Sequence, residues 1–243
     1  MRLIFISIIL IALVLGPQLW VWWVFRQYRQ PREDWPGTGG ELARHLLNRF
    51  GLQEVRVEAM PMGDHYNPET KLVGLLPQHY NGKSLTAAVI AAHEVGHALQ
   101  DHDGYELLKD RTHLIKFAQK AEKAGSYLML GMPILAGITR IPAVGLAVLV
   151  VAIGTMSVSA MVHLITLSVE WNASFRRALP ILEEGGYLAP TDMEGVRRIL
   201  KAAAFTYVAS SLFSLVNMWR WIRLVRRQSS LSRWVARTSR GLI

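Results

Sequence analysis

The run His-Glu-Val-Gly-His at residues 93–97 constrains the fold of this chain more than any other stretch does. On an α-helix, residues four apart lie one above the other, so His93 and His97 can offer two imidazole nitrogens to one metal ion. Ser84 is placed to cap such a helix at its start, and Gly104 is placed to end it. The pattern therefore predicts a helix with a metal site on one face.

The residue types in this run favour zinc. Two neutral imidazoles suit zinc, and a catalytic zinc keeps one coordination position open for a water whose pKa it lowers towards neutrality. Glu94 lies beside the two histidines and can accept the proton of that water, which is the chemistry of metallopeptidases with this motif. The alternative is a surface or core helix that binds no metal.

The motif supplies two ligands, so a third must come from another part of the chain. Glu170 is the best candidate because it stands in a helical stretch, residues 166–178, that follows directly on an apolar segment. A buried glutamate needs a partner, and a divalent cation is one. The alternative is a glutamate at an interface that pairs with Arg176 or Arg177.

Four stretches carry a resemblance to one known family: residues 64–68, 84–100, 169–174 and 202–209. In these stretches the sequence resembles the YugP-type membrane zinc metallopeptidases, a gluzincin-like group of neutral zinc metallopeptidases. The resemblance implies that His93, His97 and Glu170 bind one zinc ion per chain. It also implies that Glu94 is the catalytic carboxylate.

Composition points to a membrane protein with a water-facing part. The 243 residues are 51% hydrophobic and 19% charged, with a mean hydropathy of +0.21. The formal net charge is +9, but the arginines crowd at the ends of apolar runs, so a lipid bilayer is a more plausible partner than nucleic acid. The chain contains no cysteine, which excludes disulfides and thiolate zinc ligands.

The apolar regions predict about four transmembrane helices. His97 and Glu170 must lie on one side of a membrane to share a metal, so the chain between them must cross an even number of times. A helical hairpin satisfies this requirement, although its first arm, residues 125–139, is short enough to be re-entrant. The predicted parts are an anchor at residues 1–26, a zincin-like domain at 27–124, the hairpin at 125–167, the third-ligand helix that completes the catalytic domain at 168–201, a transmembrane helix at 202–222 and a basic tail at 223–243.

The expected fold is a mainly α membrane protein with a small α+β zincin-like catalytic domain. It is expected in the cell membrane as a multi-pass protein, and the basic residues do not decide which side the active site faces. The expected function is a zinc metalloendopeptidase that hydrolyses peptide bonds of membrane or membrane-proximal proteins. Two alternatives stay open: a non-catalytic membrane scaffold or adaptor, and a zinc hydrolase of a non-peptide substrate.

Other residues receive more limited predictions. By resemblance to gluzincins, residues 71–76 are expected to form a strand that pairs with the substrate backbone. Tyr187, His102 and Arg177 are candidates for stabilising the oxyanion, and none is preferred. Four scattered histidines are left out of the metal site because such residues are more often ordinary surface or core residues: His65, His79, His102 and His113.

Overall fold

The computed structural model describes residues 2–118, 120, 154, 162 and 165–205. The chain divides into two compact units, one made of Met1–Thr112 with Leu164–Ala209 and the other of His113–His163 with Ser210–Ile243. The described helices are α1 (Arg2–Gln27), α2 (Gly39–Arg49), α3 (Pro77–Tyr80), α4 (Leu85–His102), α5 (106–118), α6 (165–171), α7 (Leu179–Glu184) and α8 (193–205). The strands are β1 (Arg56–Ala59), β2 (His65–Asn67) and β3 (Leu72–Leu75), and a π-helical segment, Asn172–Ala178, joins α6 to α7.

Helix α4 lies at the centre of the first unit. Ser84 caps it as predicted, since the Ser84 side chain accepts a hydrogen bond from the Ala87 backbone N–H at 3.2 Å. Every residue from Leu85 to Gln100 is buried, because α2 packs on one part of the helix surface and the π-helical segment packs on another. The His-Glu-x-x-His motif therefore lies inside the protein core.

The three strands form one small sheet in the order β1-β3-β2. Strand β3 pairs in parallel with β1 and antiparallel with β2. The predicted strand at residues 71–76 is therefore present, but the predicted role in binding the substrate backbone is wrong. A strand that is hydrogen-bonded on both sides has no free row of N–H and C=O groups for a peptide.

The prediction of about four transmembrane helices is wrong. Within the residues that the structure describes, no helix is both long enough and apolar enough to cross a membrane. At the C-terminal end of α1, Val21 and Val24 are buried in the same hydrophobic core as Val89 of α4. Thr86 also donates a hydrogen bond to the Phe25 carbonyl oxygen at 3.1 Å. These two valines therefore fill part of a protein core, whereas other large apolar side chains of α1 are exposed, and hydropathy alone does not distinguish the two groups.

Several predicted parts lie mostly or wholly in segments that the structure does not describe. The predicted hairpin at 125–167 and the predicted helix at 202–222 lie almost entirely outside the described residues, and the basic tail at 223–243 lies wholly outside them. The helices that the structure describes do not support the predicted multi-pass arrangement. The remaining domain boundaries stay predictions.

Two neighbouring residues test whether the end of α1 belongs to the protein core. Val24 is 1% exposed and Trp23 is 52% exposed. We expect Val24→Ala to lower the free energy of unfolding by about 2 kcal/mol, because it removes buried methyl groups and leaves a cavity. Trp23→Ala is expected to change it by no more than about 0.5 kcal/mol. Denaturant unfolding of the full chain measures both, and equal effects would contradict the described packing.

Candidate metal centre

Three buried side chains converge on one point between α4 and the end of α6. Glu170 Oε2 lies 3.1 Å from His93 Nε2 and 3.3 Å from His97 Nε2. All three donor atoms lie within 4.8 Å of one another. The structure thus brings together the three side chains that the sequence analysis proposed as metal ligands.

The close crossing of α4 and the π-helical segment makes this convergence possible. Gly96 lies between the two histidines, and a Cβ atom placed on it would be 2.8 Å from the Ala173 carbonyl oxygen. Only a residue without a side chain allows the two backbones to approach so closely. Glu170 precedes Ala173 by less than one turn, so the same approach brings its carboxylate to the imidazoles.

The surroundings of Glu170 favour its charged form. Burial by itself raises the pKa of this carboxyl, but the positive charge of His97 and hydrogen bonds from both imidazoles hold that pKa well below its usual value. Glu170 pairs with Arg111, whose Nη1 lies 3.1 Å from Oε1. Oε1 nevertheless accepts no hydrogen bond of normal geometry. A carboxylate buried in this way is stabilised by a cation at its other oxygen, Oε2.

The alternative partners considered for Glu170 lie elsewhere. Arg177 binds the Asp103 carboxylate at 2.5 Å and the Asn172 side-chain oxygen at 3.2 Å. Arg176 is exposed at the surface. The contacts of Glu170 therefore favour a buried electrostatic site over the alternative of an interfacial pair with Arg176 or Arg177.

The donor set fits zinc. Two imidazole nitrogens and one carboxylate oxygen are a set of three protein ligands found in catalytic zinc sites, which leave a further position open. All three side chains are buried, and no thiol is available in the chain. Among the residues that the structure describes, His93, His97 and Glu170 are the one group arranged to hold a metal ion.

Glu94 is buried beside this group. The pKa of Glu94 is raised to about 8, mainly by burial; the charges of Glu170 and Asp64 also raise it, and those of His93 and Arg111 lower it. A carboxyl group with a pKa near neutrality can take up and release a proton at ordinary pH. Its position beside the metal-binding side chains is suited to a proton-transfer role.

Two of the histidines left out of the predicted site, His65 and His79, contact residues other than the metal-binding side chains. His79 Nδ1 lies 2.8 Å from the Asp64 carboxylate, which also accepts a hydrogen bond from the Leu76 backbone at 2.8 Å. His65 Nδ1 lies 2.9 Å from the Gly63 carbonyl oxygen. These contacts tie the start of β2 to the end of β3, which is a structural role.

The candidates for the oxyanion stabiliser stay predictions. The Tyr187 hydroxyl lies 3.0 Å from His45 Nε2 and 2.7 Å from Arg49 Nη1, both on α2. Arg177 is occupied by Asp103 and Asn172, as described above. His102 lines a surface cavity of about 470 Å³ together with Arg177. No described contact joins any of the three candidates to the metal-binding side chains.

Sequence analysis missed three residues that contact the proposed ligands. Gln100 contacts His97, Ser174 contacts His93, and Arg111 contacts Glu170. Gln100 carries a sequence signal, since it follows His97 by three residues on one helix and so lies on the same face. Ser174 and Arg111 belong to other elements, and their sequence neighbourhoods do not reveal these contacts.

Comparison with known proteins agrees with the chemistry of the site. A family model described as "Putative neutral zinc metallopeptidase" matches residues 3–226. The chain belongs to this neutral zinc metallopeptidase family. A relative from Bacillus subtilis (strain 168), named "Putative membrane protease YugP", is 34% identical over 226 residues, which cover 92% of this chain and 96% of the relative. No solved structure matches the chain at a significant level.

The family resemblance found in the sequence is thereby confirmed. The family description implies zinc, and His93, His97 and Glu170 could bind a metal ion.

The buried carboxyl of Glu94 generates a pH-dependent prediction for the metal-free protein. Its pKa is about 8 when folded, against 4.5 for an ordinary glutamate. Stability associated with the protonated carboxyl is fully present below pH 4.5 and is lost as the pH rises through 8. Glu94→Gln removes this loss, so it should raise the free energy of unfolding by a few kcal/mol at pH 8, since one pKa unit corresponds to about 1.4 kcal/mol.

Thermal or denaturant unfolding of the metal-free proteins at several pH values measures this effect. The advantage of Glu94→Gln over the wild type should shrink steadily towards pH 5. An advantage of the same size at both ends of the range would contradict a raised pKa for Glu94.

Proposed function

We propose that this protein is a zinc-dependent peptidase in which His93, His97 and Glu170 hold the zinc and Glu94 is the general base. One observation carries the proposal: three buried donor side chains converge on one point, with a second buried glutamate beside them. Membership of the neutral zinc metallopeptidase family supports the same chemistry.

The mechanism assigns one task to each side chain. Zinc held by His93, His97 and Glu170 would lower the pKa of a bound water and polarise a carbonyl group. Glu94 accepts a proton from the attacking water and later donates it to the leaving amine. Glu94, buried beside the metal-binding side chains, holds that proton between the two steps. The carboxylate of Glu170 stays ionised beside Arg111 and offsets positive charge in the site.

Peptides are the proposed substrate class. The Bacillus subtilis relative is named a protease, and the same zinc chemistry would also act on other carbonyl substrates. Three points stay predictions from the sequence: that the substrates are membrane proteins, that the protein contacts a lipid bilayer, and that it has no nucleic-acid partner. A non-catalytic scaffold is less well supported, because burial of the Glu94 carboxyl lowers stability and a scaffold does not require it.

Metal content tests the proposed ligands. Elemental analysis of the purified wild type should find about one zinc per chain, and His93→Ala and Glu170→Ala should each lose it because three protein ligands are needed. His45→Ala is the matched control, since His45 is exposed and contacts Tyr187. Zinc retained by folded Glu170→Ala would assign the third ligand elsewhere, and no zinc in the wild type would refute the proposal.

Peptide hydrolysis tests the role of Glu94. Glu94→Gln should keep its zinc but lose roughly 10²- to 10⁴-fold in the rate of peptide cleavage, which is the usual contribution of a general base. Glu33→Gln, which changes an exposed glutamate, should cleave like the wild type. The assay uses a library of quenched fluorescent peptides, with chelator treatment and zinc restoration as internal controls.

Two outcomes of this assay would contradict the proposal. Wild-type cleavage by Glu94→Gln would remove the general base from the mechanism. A zinc-loaded wild type that cleaves no peptide but hydrolyses esters would favour the non-peptide hydrolase.

A further inference from the structure

Gln100 contacts the nitrogen of His97 that faces away from Glu170. Its Oε1 lies 2.9 Å from His97 Nδ1, and its Nε2 donates to the Val169 carbonyl oxygen at 2.9 Å. A carbonyl oxygen can only accept, so this bond orients the amide with nitrogen towards Val169 and oxygen towards His97. The same nitrogen also donates to Asn172 Oδ1 at 2.9 Å. His97 Nδ1 must therefore carry a hydrogen and donate it to Gln100.

Ser174 contacts His93 in the equivalent way. Its Oγ lies 3.1 Å from His93 Nδ1, and its hydroxyl donates to the Leu200 carbonyl oxygen at 3.5 Å. A hydroxyl has one hydrogen to donate, so with that hydrogen directed to Leu200 the oxygen accepts from His93 Nδ1. This orientation places a hydrogen on His93 Nδ1. Both partners are fully buried, so no solvent competes for these contacts.

These two contacts decide where each neutral imidazole has its lone pair. A neutral imidazole with hydrogen on Nδ1 has its lone pair on Nε2. The two Nε2 atoms lie 3.1 Å and 3.3 Å from Glu170 Oε2, which also presents lone pairs. A metal ion among these three atoms would be bound by the lone pairs of both Nε2 atoms and of Glu170 Oε2, in place of the hydrogen bonds that the imidazoles give to this carboxylate when no ion is bound.

We infer that Gln100 and Ser174 are positioning residues that fix His97 and His93 as Nε2 ligands. Each acts through the histidine that it contacts, and the inference rests on the proposed zinc site. Gln100 has a second effect, because its bond to Val169 joins the helix of the two histidines to the residue immediately before Glu170. One side chain thus orients a ligand and holds the two ligand-bearing helices in register.

Zinc affinity tests the inference. Competition with a chromogenic chelator should show zinc bound about 10- to 100-fold more weakly by Gln100→Met and by Ser174→Ala than by the wild type. Gln100→Glu keeps an oxygen acceptor next to Nδ1 and should retain more affinity than Gln100→Met. Thr86→Val is the matched control, since it removes a buried hydrogen bond from the same helix without touching a ligand, and it should bind zinc normally.

A measurement on the wild type keeps the inference testable if these variants do not fold. Nitrogen-15 NMR of the histidine rings in the zinc-loaded protein should show hydrogen on Nδ1 and metal on Nε2 for both His93 and His97. Hydrogen on Nε2 with metal on Nδ1 would overturn the inference, as would wild-type affinity in both folded variants. A wild type that binds no zinc would instead overturn the proposed function, so the two failures are distinguishable.

Discussion

The rest of the first unit depends on the burial of one carboxylate, Glu170, against the two histidines of α4. A carboxylate that is 1% exposed is strongly destabilising unless positive charge or hydrogen-bond donors surround it. The fold supplies this environment by bringing the π-helical segment onto α4 at Gly96, where no side chain keeps the backbones apart. Arg111 then covers the oxygen that faces away from the histidines. The electrostatic requirement of one residue thus explains the close crossing of two elements.

Glu94 adds a second buried carboxyl to the same core, and packing does not explain its presence. Its raised pKa shows that the folded state disfavours its ionised form, so an amide or an apolar side chain would be more stable there. Active sites commonly contain residues that lower the stability of the folded protein but are required for activity. A glutamate of this kind beside a set of metal-binding side chains therefore supports catalysis over a purely structural role.

The sequence predicted the parts of the site that depend on helix geometry. The spacing of His93 and His97 sets their common face, Ser84 marks the start of α4, and the need of a buried glutamate for a partner pointed to Glu170. Features that depend on tertiary contacts were not predictable from local sequence. Whether residues 71–76 form an edge or a central strand depends on two other strands, and nothing near Arg111 links it to Glu170. The transmembrane prediction was wrong, since no helix of the described residues is long and apolar enough to cross a membrane, and hydropathy does not show that Val24 is buried against protein.

The elements and side chains around the three donors restrict their orientation. His93 and His97 lie on α4, Glu170 lies at the end of α6, and no donor is on a loop. Each donor is held from behind by a side chain or by an ion pair, so few rotamers remain to be fixed when a cation enters. A site of this kind binds with little reorganisation, because the ordering cost is met when the protein folds. Its metal affinity should therefore depend on the helix crossing at Gly96 as much as on the identity of the donor atoms.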